Sequence, residues 1–500
     1  MHFTVPANPN EGLLVPPFGE LLPTAIANRT RLDETDAAIG GVPLARLRDG
    51  LRRRVLALAG CDPDDDRPLI VSGHQPGLDH PGILFKRAVL EQLAPAAVCV
   101  NVVVDSDTAE LLTARVPARR GDHVSVEEIP LARTERRVVL ARAPRPDRRA
   151  FEDALSRARR AAATLGSDEV LEALDRFVAI HREEYPRHDS LAALIAAYRA
   201  RYFPTPHVRD VFLTSLCETD EFRTVAAALI EETEGVLAAH NAALARYRRE
   251  RRIRTTINPF PDLRRDGTAV EAPLWHIGDD GRRSPLFIEL ADGRTALRAY
   301  RTPLGAFTTR PELDALLADV PLRPKAATLT MFLRLCLGDL FIHGVSGGNY
   351  DRITDAIIRD RFGIEPPAYA VASLSLRLPL VFDDDLDRRV RRLADRARRM
   401  TWNPDEFVAP LNELRREKAR ILAGAGEHLT RPEHERIESV RRRLLARIAG
   451  PRQANDAELA AARAALAAQR RLGARDFPYF LYPLPVLQAA MHAPETTHTG

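Results

Sequence analysis

The stretch from residue 68 to residue 105 most constrains the fold. PLIVS (68–72) and AVCVNVVVD (97–105) are short, nearly unbroken apolar runs, the pattern of strands buried on both faces. Between them lies a turn-rich passage, GHQPGLDHP, and then GILFKRAVLEQLA, in which Ile83, Ala88, Leu90 and Leu93 share much of one helical face. Strand, glycine-rich turn, helix and strand make a βαβ unit, whose strands run parallel. The expectation is an α/β fold with ligands outside the carboxyl ends of its strands. GHQPG and VVVDSDTAE both fall at such ends.

The rest of the chain is organised around this unit. Residues 108–145 alternate apolar and charged positions, as antiparallel strands do, and residues 147–250 carry a mostly helical signal. INPFPDL and DGRRSPLFIELADGRTALRAYRTPLG hold turn dipeptides between short β-like runs and read as hairpins. LRPKAATLTMFLRLCLGDLFIHGVSGGNYDRITDAIIRDRFG reads as an apolar helix, a glycine-rich turn and a second helix. After residue 383 the pattern changes. Leu386, Val390, Leu393, Ala397 and Met400, then Phe407, Leu411, Leu414, Lys418 and Ile421, alternate steps of four and three, the spacing of a coiled-coil seam. The expected division is a core over 1–383, a protruding antiparallel helical hairpin over 384–474 that pairs two copies into a homodimer, and an aromatic segment over 475–500 that folds back on the core.

Charge and cysteine usage exclude several classes. The 73 basic residues face 69 acidic ones, so the formal charge of +4 is a small surplus spread over mixed clusters, unlike a nucleic-acid binder's basic patch. Cys61, Cys99, Cys217 and Cys336 make no CxxC pair, and Cys99 and Cys336 sit in apolar runs as buried thiols. The sequence shows neither a secretory pattern at MHFTVPANPN nor an apolar run of the roughly 18 residues a membrane span needs. The expected compartment is the cytoplasm and the expected partner a small molecule, with no nucleic acid, membrane or metal.

Lysine is the rare residue. Among the 73 cations only Lys86, Lys325 and Lys418 are lysines. Where arginine otherwise serves throughout, a retained lysine marks a place for a compact ammonium whose pKa burial can lower. Lys418 lies in the charged helix LNELRREKARIL and needs no such explanation. Three constellations could carry chemistry. In the first, Gly73, Gly77 and Gly82 let a ligand approach the backbone, the following helix offers its N-terminus to an anion, and His74, His80 and Lys86 hold charge or move a proton. In the second, Asp105, Asp107 and Glu110 suit magnesium, a ribose hydroxyl or an amine, or simply cap a helix. In the third, HGVSGGNYD, the donors are Ser346, Asn349, Gly347 and Gly348, flanked by His343 and Tyr350, with Asp351 and Asp355 one helical turn apart.

GHQPGLDHPGILFK resembles the GQQ-x-GLxxGPLYTxxK segment of bacillithiol synthase, the cysteine-adding enzyme of bacillithiol biosynthesis. The segment from LRPKAATLTM to LSLRLP resembles that family's apolar helix, YxGGPxExxY turn, helix and PPxxxxRxS strand. Gly73, Gln75, Gly77, Gly82 and Lys86 match the first motif, and Gly347, Gly348 and Tyr350 match the second. The resemblance implies a Rossmann-like core, a dimerising antiparallel coiled coil, and formation of an amide between cysteine and an amino-sugar derivative. A nucleotide, ATP or ADP, is the candidate cofactor. The chain departs from the family pattern where an acidic EDHD is replaced by DSDTAE, where YT becomes LF, and at the C-terminal RDFPYFLYP. The expectation drawn from residues and resemblance together is a shared anion site between the two glycine-rich turns, with His74 and Lys86 stabilising charge, Asp105 or Asp107 orienting the nucleophile, and Lys325 in support.

Overall fold

The structure, a computed structural model, describes residues 2–121, 123–291, 293–425 and 428–491. The chain divides into two units: residues 1–116, 128–379 and 475–500, and residues 117–127 and 380–474. The tip of a β-hairpin, residues 117–127, thus belongs with the helical segment, which the sequence does not reveal.

The first unit is mixed α/β. Its central sheet contains β1 (Glu11–Val15), β2 (Leu69–His74), β3 (Val98–Val103), β4 (Val208–Phe212), β5 (Leu340–His343) and β6 (Ala370–Ser375). They lie in the order β1-β6-β5-β2-β3-β4, parallel except for β1, which pairs antiparallel with β6 at the edge. From β2 the chain steps outward through β3 to β4, then returns to β5 on the other side of β2. The reversal lies between β2 and β5, whose ends are abreast because Ser72 pairs with Ile342. A crevice outside such a reversal is where open parallel sheets take ligands.

Helices α1 (Pro81–Leu93) and α2 (Val345–Phe362) follow the two strands at this reversal. α1 begins where His80 accepts a hydrogen bond from Gly82 N at 3.1 Å and Pro81 takes the first helical position, which needs no N–H donor. α2 stops at Gly363, whose φ of 65° is the left-handed conformation of a helix end. Ile353, Ile357 and Ile358 of α2 share an apolar cluster with Val71, Val100 and Val102. Leu84, Phe85 and Val89 of α1 are buried outside that cluster, so the two helices cover opposite sheet faces.

Three strands of this sheet escape the sequence reading. β1 lies in a proline-rich opening, and β4, VRDVF, carries Arg209 and Asp210 and starts within RYFPTPHVRD, a break in a mostly helical stretch. Asp210 is tolerated because Arg87, Asn101 and Arg199 donate to it at 2.6, 2.7 and 3.2 Å. β5 corrects the expected helix over LRPKAATLTMFLRLCLGDLFIH: the helix Ala326–Phe332 passes into a π turn, Leu333–Leu337, and the chain then extends as a strand.

A second, antiparallel sheet runs in the order Thr302–Phe307, Arg294–Ala299, Arg283–Ala291, Ala269–Ile277, Leu322–Pro324, with Arg265–Asp266 alongside Ala269–Ile277. The C-terminal aromatics Phe477, Tyr479, Phe480 and Tyr482 are fully buried, with Phe480 stacked on Phe177 at 4.4 Å between centroids.

The second unit is helical. Leu386–Trp402 packs Leu386, Val390 and Leu393 against Leu459, Ala462 and Leu466 of Ala449–Leu472. Glu413–Gly424 packs Leu414 and Ile421 against Ile437, Val440 and Leu444 of Arg431–Arg447. The expected seam is interrupted, because residues 403–412 form a short 3₁₀ turn and loop instead of continuing the helix. No helix among the described residues is long and apolar enough to cross a membrane.

Candidate functional site

Gln75, Asp107 and Lys325, from three separate parts of the chain, line one cavity of about 420 Å³ in the first unit. Gln75 and Asp107 come from the loops leaving the carboxyl ends of β2 and β3. Lys325 arrives with the second sheet: Pro324 pairs with Leu274, and Lys325 N bonds Pro273 O at 3.0 Å, setting its side chain beside Glu271 and Trp275.

Two cation–carboxylate pairs flank one indole here. Lys325 Nζ donates to Glu271 Oε1 at 2.6 Å, and Glu271 Oε2 also accepts from Arg264 Nε at 3.1 Å. Arg283 Nη1 donates to Asp107 Oδ1 at 2.8 Å, while Gln75 Nε2 donates to Asp107 Oδ2 at 3.1 Å. The Trp275 ring centroid lies 4.7 Å from Lys325 Nζ and 4.9 Å from Arg283 Cζ, within cation–π range. Burial pushes the Lys325 ammonium down to about 8, against the opposing pull of Glu271. Lowered that far, the amine has a larger neutral fraction near pH 8 than an ordinary lysine, the form a general base needs. Phe260, Leu263 and Leu329 supply apolar wall, and His240 completes the polar set.

The other expected residues are placed elsewhere. Lys86 is buried and donates to Gly73 O at 2.7 Å, with burial pushing it down to about 8. Its neighbour Asp79, pushed up to about 6 by burial, stands 3.4 Å from His74 Nδ1 and 3.8 Å from Arg199 Nη1. His74 also contacts Gln75 O at 3.0 Å. The expected anion cradle at the start of α1 has no amide to offer. Pro81 lacks an N–H, Gly82 N bonds His80 Nδ1, and Ile83 N bonds His80 O at 2.9 Å. Gly82 serves packing, since a Cβ there would lie 2.6 Å from Leu374 O and collide with the Arg475 guanidinium. A Cβ at Gly77 would lie 3.2 Å from Asp79 Oδ1.

The second glycine-rich turn is likewise occupied by its own structure. A Cβ at Gly347 would stand 2.9 Å from His343 Nδ1, and one at Gly348 would run into Val371, so the diglycine brings α2 onto β6 and His343. His343 Nε2 and Arg334 Nη1 contact Asp351 Oδ2 at 2.8 and 2.5 Å, and Arg334 Nη2 reaches Asp355 Oδ1 at 2.8 Å. Burial alone would raise the Asp351 carboxyl, but Arg334 and His343 hold it well below the usual range. Asn349 exchanges two 2.9 Å bonds with the Phe3 backbone, docking the N-terminal segment. Ser346 is exposed and Tyr350 meets the Tyr247 ring edge-on at 6.2 Å. Asp105 accepts from Thr214 N at 3.0 Å, bracing the turn after β4, and Glu110 pairs with Arg136 at 3.4 Å. No helix follows Asp107, so the capping alternative does not arise. Among the described residues, no group of three or more His, Cys, Asp and Glu side chains could hold a metal ion.

His240, Glu271, Trp275 and Arg283 were not singled out by sequence. Trp275 is one of two tryptophans, and Glu271 is the lone charge in AVEAPLWHI, so two of the four left a signal. No protein-family model and no curated protein matches this chain.

Proposed function

We propose that the Lys325 cavity is the active site of an enzyme that joins an amino acid such as cysteine to an amino sugar or related small molecule through a carbon–nitrogen bond. The observation that carries this reading is the pair of opposed charges on either side of Trp275. A zwitterionic amino acid can satisfy both: its carboxylate addresses Lys325 or Arg283, and its ammonium addresses Asp107 or Glu271. Lys325, in its neutral form, takes the proton that the attacking amine releases. The other reactant would be a carboxyl activated by a phosphate group from ATP, and the acyl–oxygen bond to that phosphate would break as the amide bond forms, the phosphate leaving; Arg283 is the cation that would hold it while Lys325 is neutral. The strand order supports treating the core as Rossmann-like, and the resemblance to bacillithiol synthase supplies the reaction class. The paired helices of the second unit suit an antiparallel coiled coil and a homodimer, which light scattering with and without residues 384–474 tests. The reading also carries a cytoplasmic setting for the enzyme.

Incubation with cysteine, glucosaminyl malate and ATP, followed by mass spectrometry, should reveal an amide that Lys325→Met and Asp107→Asn both abolish. Product undiminished in both variants, or no product from wild type, defeats this assignment. A second reading is a ligand-binding or coiled-coil interaction protein without catalysis. It is favoured by the carboxylate partner each of Lys325 and Arg283 already has, and by Lys86 and His74 standing outside the cavity lining. Ligand-induced stabilisation without any product selects it.

A further inference from the structure

The strap over residues 256–263, TINPFPDL, cannot pair its own backbone. Pro259 and Pro261 have no N–H to give a helix or a strand ladder, and the carbonyl groups around them still need donors. One side chain supplies them. Arg248, on the helix Thr233–Glu250, donates through Nε to Asn258 O at 2.9 Å and through Nη2 to Thr256 O at 2.7 Å and Phe260 O at 2.8 Å. Its Nη1 donates to the two Asp262 carboxylate oxygens at 2.9 and 2.8 Å. A guanidinium has five N–H groups in a rigid fork, and all three of its nitrogens are engaged here. Two turns earlier on the same helical face, Asn241 exchanges a pair of 2.9 Å bonds with the Leu263 backbone.

The strap is also a wall. Pro259, Phe260, Pro261, Asp262 and Leu263 line the cavity that Lys325 lines. The Lys325 side chain is 13% exposed, and desolvation is the main cause of its lowered pKa. The ionisable groups about it are Glu271, Arg264, Arg283 with its partner Asp107, His240 and Asp262. Arg248 itself is paired with Asp262. We propose that Arg248 is a positioning residue of the Lys325 cavity: through the strap it holds in place a wall that keeps water from the Lys325 amine. The assignment rests on this cavity being the site proposed above, and it calls on no reaction there.

The scarcity of lysine makes the test selective, because Lys86, Lys325 and Lys418 are the only side-chain amines. Trace acetic anhydride modifies an amine in its neutral form, so peptide mass spectrometry across a pH series reads the midpoint of each lysine separately. Wild-type Lys325 should titrate at about 8. Arg248→Met should raise that midpoint toward 10.5, by at least about 1 pH unit. Arg248→Lys keeps the positive charge but replaces the fork with one nitrogen, and should raise it as well. Asp262→Ala removes the carboxylate end of the clamp and should raise it by less. Loss of that negative charge alone would lower the midpoint, so the sign separates strap from charge. Lys86, 4% exposed in the core, should stay slow to label throughout, which shows that the fold is intact. A Lys325 midpoint unmoved in the Arg248 variants, a rise in Arg248→Met that Arg248→Lys lacks, a fall in Asp262→Ala, or a rise accompanied by rapid Lys86 labelling each overturns the proposal. Failure of the ligase reaction alone, with these shifts intact, would remove the proposed chemistry and leave this assignment standing.

Discussion

Lys86 and Lys325 share rarity and a pKa that desolvation pushes down to about 8, but Lys86 is buried and Lys325 only partly so, and their surroundings differ in kind. Lys86 Nζ is tied to the Gly73 carbonyl and faces Asp79 in a packed interior. Lys325 Nζ is tied to Glu271 and also fronts open space beside Trp275. The difference teaches that a scarce lysine marks a desolvated ammonium, and that a cavity decides whether a ligand can use it. One of these lysines braces the βαβ unit. The other lines a cavity.

The two lysines should separate most widely in stability. Lys86→Ala removes the partner of a backbone carbonyl and the compensating charge for Asp79 within the core, and should cost about 3–5 kcal/mol. Lys325→Ala should cost about 1–2 kcal/mol, because Glu271 keeps Arg264. Urea midpoints with the reverse ranking would break the comparison.

Next in size is the pH dependence. The folded value of Lys86, about 8, lies below its ordinary 10.5, so folding disfavours the charged form. Stability should therefore rise as pH passes from about 8 to 10.5, by at most about 3 kcal/mol for each lysine so shifted. Lys325 contributes in the same window, and Lys86→Met and Lys325→Met should each remove part of the rise. Asp79 acts oppositely. Its folded value of about 6 lies above 3.8, so stability should fall as pH climbs from 3.8 through 6, and Asp79→Asn should flatten that slope. Denaturation curves taken from pH 4 to 10 check both signs.

A smaller effect isolates the role of the 75–82 passage. His80→Ala removes the acceptor at the start of α1 and should cost about 1 kcal/mol while leaving ligand binding at the Lys325 cavity unchanged. Smallest of all, Lys418→Arg, at the Asp405 pair of the helical unit, should stay within about 0.5 kcal/mol of wild type by the same urea midpoint.

The sequence carried the βαβ unit because β2 and β3 are buried on both faces and say so in unbroken apolar runs. It hid β4 because Asp210 there answers to Arg87 and Asn101, partners 123 and 109 residues away along the chain. It hid β5 because LFIH follows directly on an apolar helical segment with no turn residues beyond Gly338 and Asp339 to mark the change. At the site, Lys325 was legible through rarity, Gln75 through its motif and Asp107 through its position at a strand end. His240 was not, because a single histidine in LAAHNAAL looks like any histidine on a helix. What makes it distinctive is its place on the cavity wall, which the fold alone supplies. The glycines misled for a related reason: Gly82, Gly347 and Gly348 admit neighbouring protein atoms, and spacing alone does not distinguish those from a ligand.

The central claim is that ligand recognition belongs to Lys325 and its cavity. Thermal-shift titration of wild type, Lys325→Met and His80→Ala against nucleotides, amino acids and amino sugars tests it most directly, since stabilisation grows with saturation of the folded state. The account predicts at least one compound that raises the wild-type and His80→Ala midpoints and leaves Lys325→Met unmoved. A compound that stabilises Lys325→Met as fully as wild type, or a panel that stabilises none of the three, contradicts it.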